Sequence, residues 1–167
     1  MSSMFFNDVE AAKIAVNMER NGLDFYKQMA AKTQDANVRK VFEQLAADET
    51  EHIGIFEELH EKLLAEPRRA SYLDNEELDA YMQRLVSSHV FGDEGSVARL
   101  AAQTETDIEA LGVGMRAERD TMLFYQEMLG FTDSKAAREA FQRIVDEERR
   151  HLVLLAERSE ACENLHG

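Results

Sequence analysis

Hydrophobic and polar positions alternate with helical spacing along four long stretches of the chain. Apolar residues recur every three or four positions, which places them on one face of a helix and leaves charged residues on the other. Asn7 and Asp35 can cap the first two stretches, Pro67 cannot continue the second, and Gly130 is placed to end the third. The pattern predicts helices over residues 8–31, 36–66, 107–129 and 134–160.

The connections between these helices predict how they pair. Residues 32–35 and 130–133 are short loops, so each joins two neighbouring helices into a hairpin. The segment 67–106 is much longer. It predicts one short helix starting after Asp74 or Asn75, and a second from Ser96 to Ala102. The sequence therefore predicts a single all-α domain over residues 1–167, a four-helix bundle of two helical hairpins joined by a long crossover with one or two short helices.

Composition narrows the class of protein further. One proline and eight glycines are too few turn residues for a sheet-rich fold. A net charge of -14 argues against nucleic acid and anionic membranes as partners. Neither a signal peptide nor an apolar run of membrane-spanning length is visible, and Cys162 has no second cysteine with which to pair. A cytoplasmic location is expected.

The chain repeats itself at a constant offset of 99 residues. Because the register needs no gaps, chance is a poor explanation, and the two hairpins are expected to be copies related by a pseudo-twofold axis. The matching pairs include Glu19 with Glu118, Phe25 with Phe124, Thr33 with Thr132, Arg39 with Arg138, Phe42 with Phe141, Glu49 with Glu148 and His52 with His151.

Each inward helical stripe is apolar except at one level. There the first and third helices carry a glutamate, and the second and fourth carry a Glu-x-x-His pair whose members share a helix face. Buried carboxylates are costly unless they are compensated, and two divalent cations would neutralise four of them. The predicted metal ligands are Glu19, Glu49, His52, Glu118, Glu148 and His151. Oxygen donors with one imidazole per metal suit iron or manganese, and zinc would bind as well.

These residues resemble the rubrerythrin and ferritin-like di-iron superfamily, specifically its stand-alone rubrerythrin-like members. The resemblance covers all four long helices and implies the same six ligands around two iron ions. The segment Glu147-Glu-Arg-Arg-His151 resembles a family signature in which Glu147 and Arg150 would act beside the ligands. Two features depart from the family. The chain has no Cys-x-x-Cys rubredoxin domain, which implies a separate electron-donor protein, and Met115 stands where rubrerythrins place an extra glutamate.

Other residues are candidates by position around the ligands. Asp48 and Glu147 can accept the second N–H of the ligand imidazoles. Tyr26 and Tyr125 lie two helical turns beyond the single glutamates, where each would bond a ligand carboxylate, relay an electron or pack in the core. Small residues one turn beyond those glutamates would leave room for oxygen or peroxide, or allow close helix packing: Gly22 and Thr121. Three histidines show no pattern that gives them a partner, and they are expected to lie at the surface or to be incidental: His60, His89 and His166.

Three hypotheses for function remain open from the sequence. The first is a non-haem di-iron oxidoreductase that reduces peroxide or oxygen with an external electron donor. The second is a ferroxidase that handles ferrous iron for storage or detoxification. The third is a structural or metal-sensing bundle without turnover. A homo-oligomer, most simply a dimer, is the expected assembly.

Overall fold

The computed structural model describes residues 6–67 and 76–166, and all regular secondary structure within them is helical. This confirms the predicted all-α fold. Asp74 and Asn75, after which the first short helix was expected to start, lie outside the described residues, and the described helix begins at Glu76. The helices are α1 (Asp8–Lys32), α2 (Ala36–Ala65), α3 (Glu76–Ser87), α4 (Ser96–Gln103), α5 (Asp107–Phe131) and α6 (Lys135–His166).

Two hairpins form the bundle. Helix α1 packs mainly against α2, and α5 packs mainly against α6, because a three-residue loop joins each pair. The hairpins meet along the α1–α5 and α2–α6 seams, while α3 lies against α5 and α4 against α1. No helix among the described residues carries an apolar run long enough to span a bilayer.

The hairpin loops show the internal repeat in atomic detail. The guanidinium of Arg39 donates to the carbonyl oxygen of Thr33, and that of Arg138 donates to the carbonyl oxygen of Thr132, both at 2.7 Å. The two pairs are 99 residues apart. The repeated sequence therefore folds the same way twice, which is the structural basis of a pseudo-twofold relation between the hairpins.

Gly130 does not end the third long helix, contrary to the prediction. Helix α5 continues through it to Phe131 and ends at Thr132, an extended residue whose N–H bonds the carbonyl oxygen of Met128. Within the described residues only Gly95 has a positive φ, so Gly130 supplies no left-handed cap. Helix α6 also runs beyond the predicted residue 160.

The buried core divides into two apolar clusters on either side of the charged level. One contains Phe56, Phe124 and Phe141, and the other contains Phe25 and Phe42. On each long helix the members of one cluster precede the inward glutamate and the members of the other follow it. The polar residues are thus enclosed between two apolar layers.

Candidate metal centre

The six predicted ligands meet at one level in the middle of the bundle. All are buried, with His52 completely inaccessible and His151 the most accessible at 5%. Donor atoms from these residues form two overlapping groups, and within each group they lie within 4.8 Å of one another. The first group is Glu19, Glu49, His52 and Glu148, and the second is Glu49, Glu118, Glu148 and His151. Both groups share the glutamates of the two Glu-x-x-His pairs, Glu49 and Glu148.

Each imidazole turns its Nδ1 atom toward the carboxylates. His52 Nδ1 lies 3.1 Å from Glu19 Oε2 and 3.2 Å from Glu148 Oε1. His151 Nδ1 lies 2.9 Å from Glu148 Oε2 and 3.7 Å from Glu118 Oε2. The two rings stack with centroids 5.5 Å apart and planes inclined by 17°. The imidazoles therefore stand side by side on the α2–α6 side of the cluster.

The outer nitrogen of each imidazole is held by a carboxylate from the opposite hairpin. His52 Nε2 lies 2.8 Å from Glu147 Oε2, and His151 Nε2 lies 3.1 Å from Asp48 Oδ2. A carboxylate can only accept at these distances, so Nε2 carries the proton and Nδ1 is directed inward. Asp48 and Glu147 are another pair at the 99-residue offset.

Arg150 is exposed on α6, and among the described residues no hydrogen bond or ion pair joins it to the predicted ligands. The arginine that contacts Glu147 is Arg143, whose Nε donates to Glu147 Oε1 at 3.0 Å. The expectation that Arg150 acts beside the ligands is therefore corrected. The i,i+4 spacing of Arg143 and Glu147 on one helix was the sequence signal for this contact.

Two buried tyrosines bond the single glutamates across the hairpin boundary. The Tyr26 hydroxyl donates to Glu118 Oε1, and the Tyr125 hydroxyl donates to Glu19 Oε1. Burial, together with the nearby carboxylate charges, raises the pKa of both hydroxyls well above the usual value. Both tyrosines therefore stay protonated and act as donors to the carboxylates.

The four carboxyl groups divide into two kinds. Burial raises the pKa of Glu49 and Glu148 well above the usual value, and repulsion by the neighbouring carboxylates raises it further. Burial opposes ionisation of Glu19 and Glu118 too, but hydrogen bonds from neighbouring groups outweigh it and lower the pKa of both. The shared glutamates thus tend to hold a proton, while the two single glutamates stay ionised.

The imidazoles tend to be charged. Burial alone would lower the pKa of His52, but its hydrogen bond to Glu19 and the charge of that carboxylate raise it to about 9. Burial also opposes charging of His151, but its hydrogen bonds to Glu118 and Glu148 outweigh that effect and raise its pKa to about 10. Protons on these groups balance the buried negative charge when no cation does so, and these are the charges that a pair of divalent cations would replace.

Comparison with known proteins places the chain in a family. The Rubrerythrin family model matches residues 10–159. The chain belongs to the rubrerythrin family. The crystal structure of a DUF305 fragment from Deinococcus radiodurans matches with a TM-score of 0.68, covering 92% of this chain and 95% of that one. At 15% identity this likeness shows a shared fold alone. No curated protein sequence matches the chain.

The pseudo-twofold of this rubrerythrin-family chain breaks beside the ligands, at Gly22 and Thr121. A Cβ atom added to Gly22 would lie 3.4 Å from Glu49 Cδ and 3.5 Å from its Oε2, so the glycine makes room for a shared carboxylate. Thr121 occupies the equivalent position in α5, and its side chain is buried. The two halves of the centre therefore match in their ligands but differ at this position.

His89 is buried, contrary to the expectation that it lies at the surface. It is 6% exposed, its Nε2 lies 2.9 Å from Thr121 Oγ1, and its Nδ1 accepts a hydrogen bond from Phe91 N–H. Burial lowers the pKa of His89, and the charge of Asp120 only partly opposes this. His89 lies in the irregular crossover, where helical periodicity gives no signal of burial. His60 is partly exposed, and the side chain of His166 lies outside the described part of the structure.

Proposed function

We propose that this chain is a di-iron oxidoreductase that reduces hydrogen peroxide or oxygen with electrons from a separate donor protein. The observation that carries the proposal is the pair of overlapping four-residue groups that share Glu49 and Glu148. Two groups with two common members suit two metal ions held close together by bridging carboxylates. Membership of the rubrerythrin family supports the same reading.

The donor set fits a pair of divalent cations. Four carboxylates and two neutral imidazoles match four positive charges without excess, and these ligands suit iron or manganese. Glu148 Oε1 is buried and accepts no hydrogen bond within the described residues, although His52 Nδ1 lies 3.2 Å from it. A buried carboxylate oxygen that accepts no hydrogen bond is stabilised by a bound cation.

The groups assign the ligands to two positions. Glu19 and His52 would hold one metal, Glu118 and His151 would hold the other, and the shared glutamates would reach both. Two ferrous ions held together supply the two electrons that reductive cleavage of a peroxide O–O bond requires.

The surrounding residues orient the ligands and exclude water. Tyr26 and Tyr125 fix one oxygen of each single glutamate, which leaves the other oxygen directed at the cluster. Asp48 and Glu147 fix the imidazole tautomer. The aromatic layers above and below are fully buried, which excludes water from the centre on those two sides.

Anaerobic titration with ferrous iron tests the proposal directly. We expect about two ions per chain, from the ligand count, and loss of the diferrous spectroscopic signal within one addition of peroxide. Continued uptake of many irons per chain under air would support storage instead. A bound metal pair that peroxide leaves unchanged would support a structural role and contradict the proposed activity.

Substitution of either buried tyrosine by phenylalanine is expected to weaken metal binding. Tyr125→Phe keeps the ring against Phe56 and Phe141 but removes the donor to Glu19. Loss of such an outer hydrogen bond lowers metal affinity by about 10- to 100-fold. Because of the pseudo-twofold, Tyr26→Phe should have a similar effect. Equilibrium titration with Co(II) measures both constants.

The matched control is Tyr81→Phe, which removes an exposed hydroxyl bonded to Glu127. This variant should bind like the wild type. If both buried substitutions also left affinity unchanged, the tyrosines would be core residues alone.

A further inference from the structure

The α1–α5 side of the centre is closed by a turn of the crossover. Asn21 Nδ2 donates to the carbonyl oxygen of Phe91 at 3.2 Å, and Asp120 Oδ2 accepts the N–H of Val90 at 2.8 Å. Asn21 and Asp120 are equivalent under the 99-residue repeat and lie two residues beyond the single glutamates. The turn is therefore attached to both helices directly beside the ligand level.

His89 is a buried residue of this turn. Its Nδ1 is occupied by Phe91 N–H, so Nε2 carries the ring proton and donates to Thr121 Oγ1. Thr121 lies one helical turn beyond Glu118 on the same face of α5. The His89–Thr121 pair thus lies between the turn and the metal ligands.

The His89 side chain also lines a cavity at the surface. A surface cleft of about 630 Å³ lies between α1 and the crossover, and its wall includes Met18, Asn21, His89 and Phe91. Three acidic residues and one basic residue also line it, Asp24, Asp93, Glu94 and Arg20, so the charged lining is negative on balance and attractive to cations. His89 therefore lines the cleft on one side and, on the other, bonds Thr121, which lies one helical turn from Glu118.

The α2–α6 side of the centre is occupied by two of the predicted ligands themselves. There the gap is filled by the imidazoles of His52 and His151, which stack on each other and are anchored by Glu147 and Asp48. Entry on that side would displace a ligand. On the α1–α5 side the closing groups are not ligands, so they can move while the centre stays assembled.

We propose that divalent metal ions enter and leave the centre through this cleft, and that the hydrogen bond between His89 and Thr121 holds the entrance closed. The inference rests on the proposed metal centre. We call the His89–Thr121 hydrogen bond the latch. The latch controls the rate of metal exchange but does not set the equilibrium affinity for the metal. Both the uptake rate and the release rate should rise when the latch is removed, because neither residue is bonded to a ligand in the closed structure.

Exchange kinetics of Co(II) test this proposal. Wild-type protein and Thr121→Val are loaded with Co(II), and stopped-flow absorbance follows uptake and chelator-driven release. Thr121→Val keeps the shape of the side chain but leaves His89 Nε2 without its acceptor. We expect both rates to rise about five- to tenfold, as for loss of one buried hydrogen bond, with the equilibrium affinity changed less than about twofold. His89→Ala, which removes the closing side chain itself, should accelerate exchange further.

Thr132→Val is the matched control. Thr132 is equally buried, and its hydroxyl also bonds a turn, accepting from Ser134 N–H at the end of the bundle. Exchange in this control should match the wild type. Wild-type rates in Thr121→Val, or equal acceleration in Thr132→Val, would overturn the proposed route while leaving the metal centre intact. Failure of wild-type protein to bind Co(II) would instead overturn the proposed function on which the route depends.

Discussion

Glu49→Gln is expected to abolish binding of the metal pair. Glu49 belongs to both four-residue groups, so its loss removes a ligand from both positions at once. We expect affinity to fall by more than about 100-fold, beyond the effect of losing an outer hydrogen bond. Metal at about 1,000 times its Kd stabilises the wild type by about 4 kcal/mol, and the variant should lose most of this increment. Thermal unfolding with and without Co(II) measures it.

The same substitution should leave the metal-free fold intact. Burial and the surrounding carboxylates favour the protonated form of Glu49, and glutamine has nearly the same shape as that neutral form. The free energy of unfolding without metal should therefore change by less than about 1 kcal/mol. The matched control is Glu51→Gln, which changes an exposed glutamate on the same helix and should retain both metals. Full metal binding by Glu49→Gln would contradict the assignment of Glu49 as a shared ligand.

Most of the fold could be predicted from the helical spacing of the apolar residues and from the 99-residue repeat. Helical periodicity locates the four long helices, and the constant offset between Glu19 and Glu118 shows that the hairpins are copies. The same pattern singles out the six inward residues that the structure brings together. Which glutamates are shared depends on how the hairpins face each other, and periodicity along one helix does not contain that information.

Three features of the structure were not predicted from the sequence. His89 is buried because the single crossover returns over the α1–α5 seam, and no second copy of this segment exists for comparison. Glycine often ends a helix, so Gly130 was expected to end this one. Helix α5 instead ends at Thr132, which has an ordinary extended conformation. Arg150 resembles a family signature, whereas the side chain that reaches Glu147 belongs to Arg143. Resemblance to a family signature identifies positions close to a site, but the packing of the helices determines which side chains make contact.

The metal-free protein is expected to lose stability as the pH rises. His52 and His151 have pKa values of about 9 and about 10 in the folded chain, against about 6.5 when unfolded. Their stabilisation is complete below about pH 6.5 and disappears as the pH rises through the folded values. Glu49 and Glu148 act in the same direction, because their folded pKa values are also raised. Groups whose pKa is lowered, such as Glu19, have the opposite effect: the stability they contribute is lost as the pH falls, and this happens only in acid. Urea unfolding between about pH 6 and pH 9 tests the trend.

Metal binding should reverse this dependence, because the cations and the protons compete for the same atoms. Two divalent ions would displace about four protons near neutral pH, from Glu49, Glu148, His52 and His151. Calorimetric titration with Co(II) in two buffers of different ionisation enthalpy counts the released protons. Glu51→Gln, which keeps all four of these groups and should retain both metals, should release the same number of protons. Metal uptake without proton release would mean that the free site is already ionised, and the charge balance inferred for the metal-free cluster would then be wrong.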